Sequence, residues 1–217
     1  MTGEQLVVFL HALGAWPDSW EHQIRSLPDG FAGIAPPIPG VAEAGQGPYD
    51  LAAAARGLLA VLDEHGAERA HLCGLSLGAM VATHLALDHP HRVASLVLSG
   101  SQVAPNPAVM AVQRTVVRLL PRRVATGLGL TKAGWLAVLR AVADTDFRPR
   151  LHEIAVPALV LCGSRDVANL PAARQLAAAI PGAELQVIRG AGHTWNVQMP
   201  DRFSAVVGDF YRRLARA

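Results

Sequence analysis

The run Arg69-Ala70-His71-Leu72-Cys73-Gly74-Leu75-Ser76-Leu77-Gly78-Ala79-Met80 decides how this 217-residue chain is read. Residues 69–74 form a short, mostly apolar stretch of the kind that makes a buried strand. Leu77 to His89 reads as a helix that follows at once and ends just before Pro90. Between the two stands G-x-S-x-G. A serine on so sharp a strand-to-helix turn is held with its oxygen above the sheet, and the flanking glycines permit close packing that a side chain would block. The new helix also aims its unpaired N-terminal N–H groups and its dipole at that serine, where developing negative charge is stabilised.

The same alternation extends in both directions. Strands are expected at 6–11, 33–36, 69–74, 93–100, 158–163 and 184–188, each read as buried because apolar residues fill successive positions. Asp50 caps a helix whose Leu51, Ala54, Ala55, Leu58 and Leu62 share one stripe before Gly66 stops it, and further helices are expected at 170–180 and 200–216. The expected fold class is α/β: a mostly parallel six-stranded sheet with helices on both faces, in a single domain over 1–217. One interval breaks the pattern, since about fifty residues separate the strand at 93–100 from the next, too many for a simple crossover. Residues 108–120 and 132–143 have helical spacing, with breaks at Pro121 and the Gly127/Gly129/Gly134 cluster. A small helical cap inserted at about 101–150 is expected, after which Val156-Pro157 restarts the sheet in an extended conformation.

Composition narrows the function classes. Hydrophobic residues make up 51% and charged ones 17%, which excludes disorder. No apolar run reaches the ~20 residues of a membrane span, and MTGEQLVVFL lacks the basic start and cleavage site of a signal peptide. Cys73 and Cys162 each lie inside an apolar run and give neither a disulfide framework nor a metal-ligand cluster, so a cytoplasmic chain without metal is expected. Net charge is +2 and no Lys/Arg block tracks phosphates, so neither nucleic acid nor membrane is an expected partner. The charge is uneven, however. Arg114, Arg118, Arg122, Arg123, Lys132, Arg140, Arg148 and Arg150 crowd the cap against Asp144 and Asp146. Such a run reads as a solvated helical face or as a field that gathers anionic substrates.

Serine needs a base, and the base needs a carboxylate to orient it. Of the nine histidines, His193 stands out in Gly190-Ala191-Gly192-His193, a loop between the last strand and the terminal helix. His65, His89, His91 and His152 sit at helix ends or polar turns, while His22, His71 and His84 lie within regular elements. For the acid, the strand at 158–163 runs into Ser164-Arg165-Asp166, placing a carboxylate at the same sheet edge as Ser76 and His193. The end of the preceding strand, Ser99-Gly100-Ser101-Gln102, offers no carboxylate. The chain order Ser76, Asp166, His193 therefore reads as a catalytic triad. Two oxyanion donors are expected, the N–H of Leu77 after the nucleophile and the N–H of Leu13 in the loop His11-Ala12-Leu13-Gly14. His11 is read as holding that loop by hydrogen bonds.

With these residues in place the chain resembles the α/β-hydrolase fold superfamily, and within it small bacterial enzymes of the 3-oxoadipate enol-lactonase-like and carboxylesterase-like kind. The resemblance covers nearly the whole chain. It rests on His11 to Gly14 with Trp16 and Trp20, on Gly74 to Gly78, on His89-Pro90-His91-Arg92-Val93, on Val156-Pro157 to Asp166, and on Gly190 to His193. It implies a serine hydrolase without cofactor, with a helical cap over its pocket and with Ser76, Asp166 and His193 matching the family's triad. Serine at 76 argues against dehalogenase or epoxide-hydrolase chemistry. The family usually opens with a β-hairpin, and only five residues precede Leu6, so a sheet trimmed to six strands is expected. Departures are His11-Ala12 for His-Gly, Ala79 after the elbow glycine, and Pro36 to Ala42 where the family carries an aspartate and a further glycine.

The pocket is expected to be lined by Leu13, Trp16, Leu77, Val103 and Trp195, with Met110 and Trp135 above, an apolar set suited to a small ester, lactone or thioester. Ordinary core packing is the competing reading of the same residues. The expected activity is hydrolysis of a carboxylic ester or lactone through an acyl-enzyme on Ser76. A thioesterase for acyl-CoA or carrier-bound acyl groups, favoured by the basic cap, and a non-hydrolytic ligand-binding protein are the alternatives.

Overall fold

The computed structural model describes residues 4–121, 123 and 130–216. Arg122 of the basic run and Gly127 and Gly129 of the expected break lie outside the described residues. Six strands, β1 (Gln5–Leu10), β2 (Phe31–Ile34), β3 (Ala70–Leu75), β4 (Val93–Ser99), β5 (Ala158–Gly163) and β6 (Glu184–Ile188), form one sheet in the order β2-β1-β3-β4-β5-β6. Every neighbouring pair is parallel.

Parallel strands must be joined by crossovers, and here helices fill them on both faces. Because successive strand residues point to opposite faces, β1 sends Val8 and Leu10 into one core and Val7 and Phe9 into another. The first core is closed by α2 (Leu51–Glu64), α3 (Leu77–Asp88) and α6 (Leu170–Ala179). The second is closed by α1 (Glu21–Arg25), by α7 (Trp195–Gln198) and by Phe203, Val207 and Tyr211 of α8 (Pro200–Leu214). A strand covered on both sides needs apolar residues in succession, which is the pattern its sequence shows. Asp50 accepts from the N–H of Ala52 at 2.9 Å and caps α2, whose five-residue stripe from Leu51 to Leu62 is entirely buried. Truncating the fully buried Leu62 to alanine would cost about 2–5 kcal/mol.

Two strands differ from expectation. The second lies at Phe31–Ile34, two residues earlier than 33–36, and pairs Gln5 with Phe31 through Val8 with Ile34. Pro36 and Pro37 have no N–H to give a ladder, so pairing ends before them. The last strand is an edge, with Leu185 and Val187 exposed and only Ile188 buried.

Between β4 and β5, α4 (Pro107–Leu119) and α5 (Lys132–Ala143) pack together through Met110, Val117 and Leu139. Thr131 caps α5, its hydroxyl accepting from the N–H of Gly134 at 3.0 Å. Their cluster also touches Leu13, in the loop after β1, so the pair lies over the edge where the parallel strands end. Among the described residues no helix is long and apolar enough to cross a membrane.

Candidate active site

Ser76 follows β3 directly, with φ 55° and ψ −112°, and is the only described non-glycine residue with positive φ. That strained backbone persists because its neighbours leave no alternative path. A Cβ at Gly74 would lie 2.4 Å from the nitrogen of Ala79, and one at Gly78 would lie 2.2 Å from the carbonyl oxygen of Leu10. The turn is also tied to the sheet, because the N–H of Ser76 donates to the carbonyl of Ser99 at 2.9 Å. Leu77 is the first residue of α3, so its N–H has no partner within the helix and points toward the serine end.

The loop after β1 is fixed by His11, which is buried. Its Nδ1–H donates to the carbonyl of Ala12 at 2.9 Å, and its Nε2 accepts from the N–H of Ile38 at 3.3 Å. Both nitrogens are thereby used and burial holds the ring's pKa below the usual value, so His11 is a neutral cross-tie between two loops. It leaves Leu13 facing the same cavity as Ser76 and Leu77.

At the ends of the next strands, His193 Nδ1–H donates to Asp166 Oδ2 at 2.7 Å. The carboxylate is almost enclosed, with 7% of its side chain exposed, whereas the imidazole is 36% exposed. Among the described residues no hydrogen bond engages His193 Nε2, and the ring lines the cavity with Ser76. Asn169, three residues beyond Asp166, donates to Asp166 Oδ1 at 2.7 Å, and its Nδ2 lies 3.1 Å from His193 Nδ1. Gln102 in turn donates to Asn169 Oδ1. Asn169 and Gln102 were not among the expected site residues. The signal for Asn169 was its place at the start of α6, one helical turn after the acid.

The cavity over Ser76 has a volume of about 410 Å³. Leu13, Leu77, Met110 and Trp135 line it as expected, joined by Met80, which lies one helical turn after Ser76 on α3. The other three expected lining residues go elsewhere. Trp195 is wholly buried in the second core and donates from its indole to Ser99 Oγ at 3.0 Å. Val103 is wholly buried in the first core, and Trp16 is 51% exposed on a small groove beside His11 and Gly14. Of the basic run, Arg114 and Arg118 do not line the cavity, Arg148 pairs with Asp146, and Arg150 pairs with Asp88 and Glu153. Among the described residues, the basic run contributes nothing to the cavity wall.

The chain is similar to known proteins. A family model described as the alpha/beta hydrolase fold matches residues 5–141. The pimeloyl-(acyl-carrier protein) methyl ester esterase of Aromatoleum aromaticum is 29% identical, over 95% of this chain and 98% of the relative. The 3-oxoadipate enol-lactonase 2 of Acinetobacter baylyi is 24% identical, over 95% and 88%. Among solved structures, a hydrolase from Pseudomonas aeruginosa PA01 superposes with a TM-score of 0.82 at 26% identity, covering 96% of this chain and 90% of that one. With the family model spanning well over half of its length, the chain belongs to the alpha/beta hydrolase fold family.

Proposed function

We propose that this protein is a serine hydrolase that cleaves a carboxylic ester or lactone of a small, largely apolar substrate through an acyl-enzyme on Ser76. The observation that carries the reading is the strained Ser76 backbone at the head of α3, facing one cavity together with a histidine whose far nitrogen is held by an enclosed carboxylate. In this reading Ser76 Oγ attacks the carbonyl carbon while His193 Nε2 takes its proton. Asp166 keeps the proton of Nδ1 in place and stabilises the imidazolium. The carbonyl oxygen becomes an oxyanion that accepts from the N–H groups of Leu77 and Leu13, each worth roughly 3–4 kcal/mol in the transition state. The alcohol leaves with the proton from His193, and water, activated by the same ring, releases the acid. Apart from substrate and water, the proposed steps use only groups of the chain. Relatives named for ester and lactone substrates support the same bond class. Two free, buried thiols accord with a reducing, cytoplasmic setting. The test is Ser76→Ala assayed on p-nitrophenyl acetate: turnover falls by about 10⁴-fold or more while circular dichroism and Tm are kept. A folded Ser76→Ala protein with most of its activity would overturn the proposal.

A further inference from the structure

The cavity over Ser76 has two unlike walls. One is the cap cluster of Met110, Val117 and Leu139 with Trp135 against it, reaching the sheet edge through Leu13. Val112 and Val116 of α4 carry this apolar surface outward to the mouth, where both are exposed. The other side carries the uncharged amides Gln102 and Asn169, the latter in contact with His193, with Pro105 and Ala168 beside them. Among the described residues that line the cavity there is no lysine, arginine, aspartate or glutamate.

The reaction gives these walls different tasks, and the argument rests on the serine-hydrolase reading. The leaving oxygen receives its proton from His193, so the alcohol portion lies beside the amide wall. The oxyanion faces Leu13 and Leu77, so the acyl chain runs past Leu13 onto the cap cluster. A carboxylate at the far end of that chain would be stripped of water with no cation among the described lining residues to pair it, which is strongly unfavourable. The described basic residues of the cap do not relieve this, because neither Arg114 nor Arg118 lines the cavity. We infer that the substrate class is a neutral ester of a medium-length, apolar acyl chain with a small, uncharged alcohol portion, and not the ester or lactone of a dicarboxylic acid. The volume of about 410 Å³ holds about a dozen water-sized groups at ~30 Å³ each, enough for the ester and an acyl chain of roughly eight carbons.

Three substrate series test this in the intact protein: methyl esters of straight-chain acids, monomethyl esters of straight-chain diacids of equal length, and acetates of straight-chain alcohols. In the first series kcat/KM should rise about threefold to fourfold per methylene and level off near eight carbons. The diacid monoesters should stay at least about 100-fold below their neutral counterparts at six to eight carbons. The acetates should gain less than about twofold per added methylene, because that wall is polar. Val116→Arg, a change at an exposed mouth position, should narrow the gap between diacid and neutral esters by about tenfold. Equal rates for diacid and neutral esters, or a steeper gain along the alcohol than along the acyl chain, would overturn the inference. A second measurement is independent of turnover: calorimetric binding of methyl octanoate and monomethyl suberate to Ser76→Ala protein. A preference of at least about tenfold for the neutral ester supports the assignment even if hydrolysis itself fails, and no preference overturns it even if hydrolysis succeeds.

Discussion

At the start of β3, His71 is buried between Ser95 Oγ and Gln5 Oε1, each 2.8 Å from one of its ring nitrogens; at the end of the same strand, Ser76 meets a cavity that it shares with His193. The two histidines have the same chemistry and opposite settings. Gln5 Oε1 can only accept, so His71 Nε2 carries the hydrogen, and Nδ1 takes the hydroxyl hydrogen of Ser95. Phe31 and Tyr211 stand edge-on to the ring at 5.3 and 5.4 Å. With both nitrogens used, and with burial and then the charge of Arg69 lowering its pKa to about 4, His71 is a neutral tie across three strands. His193 instead gives Nδ1–H to a carboxylate and lines the cavity, with no hydrogen bond to Nε2 among the described residues. A histidine becomes a base when an anion supports one nitrogen and the other is free. The same ring satisfied on both sides becomes structure.

The largest test of this contrast exchanges the two histidines in turn. His193→Gln should lower kcat by about 10³–10⁴-fold on p-nitrophenyl acetate, and His71→Asn should leave kcat/KM within about threefold once folding is verified. Comparable losses in both variants would remove the distinction.

A smaller effect appears in stability. Above the ordinary histidine value of about 6.5, His71 is neutral in both folded and unfolded chains and contributes no pH dependence. Between 6.5 and about 4 the unfolded chain binds a proton that the folded chain does not, so stability falls as pH falls, and the loss is complete below the folded value. At pH 5 this amounts to about 2 kcal/mol. Urea unfolding at pH 7 and pH 5 should therefore show wild type losing about 2 kcal/mol more than His71→Asn. An identical acid loss in both proteins would assign it to other groups.

The smallest expected change concerns the second oxygen of Asp166. Removing its hydrogen bond in Asn169→Ala should lower kcat by about tenfold with little change in KM, because the acid–histidine pair is held less firmly before the transition state. Asn169→Asp should be worse than Asn169→Ala, since it sets a second carboxylate against the first. An unchanged kcat in both would leave Asn169 as a helix-start residue alone.

The sheet and the placing of Ser76, Asp166 and His193 near one sheet edge were legible because each rests on a short-range rule. Successive apolar residues mark strands covered on both faces, and G-x-S-x-G between a strand and a helix marks the sharp turn at Ser76. The bounds of β5, β6 and α5 follow from the same rules, whereas β2 slipped by two residues because Ala35 and Pro36 were counted into it. Lining residues were harder. Trp195 is two residues from His193, but the short helix α7 begins there and turns its indole into the core against Phe203, at 4.5 Å between ring centroids. Trp16 stands just before a 3-10 turn and faces outward, and Val103 is consumed by packing. An apolar stripe announces that a residue is buried without saying against what, so the cap wall emerged only from the packing of α4 on α5. Gln102 was passed over because the end of β4 was searched for a carboxylate, and an amide that reaches the acid through Asn169 leaves no pattern along the chain.

The serine-hydrolase reading depends on Ser76 being the residue that bonds to the substrate. The most direct measurement treats the protein with a fluorophosphonate, follows loss of p-nitrophenyl acetate turnover, and maps the adduct by mass spectrometry of peptides. The account predicts one phosphonyl group per chain, on Ser76, with activity lost in proportion to its formation. Turnover that persists with Ser76 fully modified, or an inactivating adduct on a different residue, would contradict it.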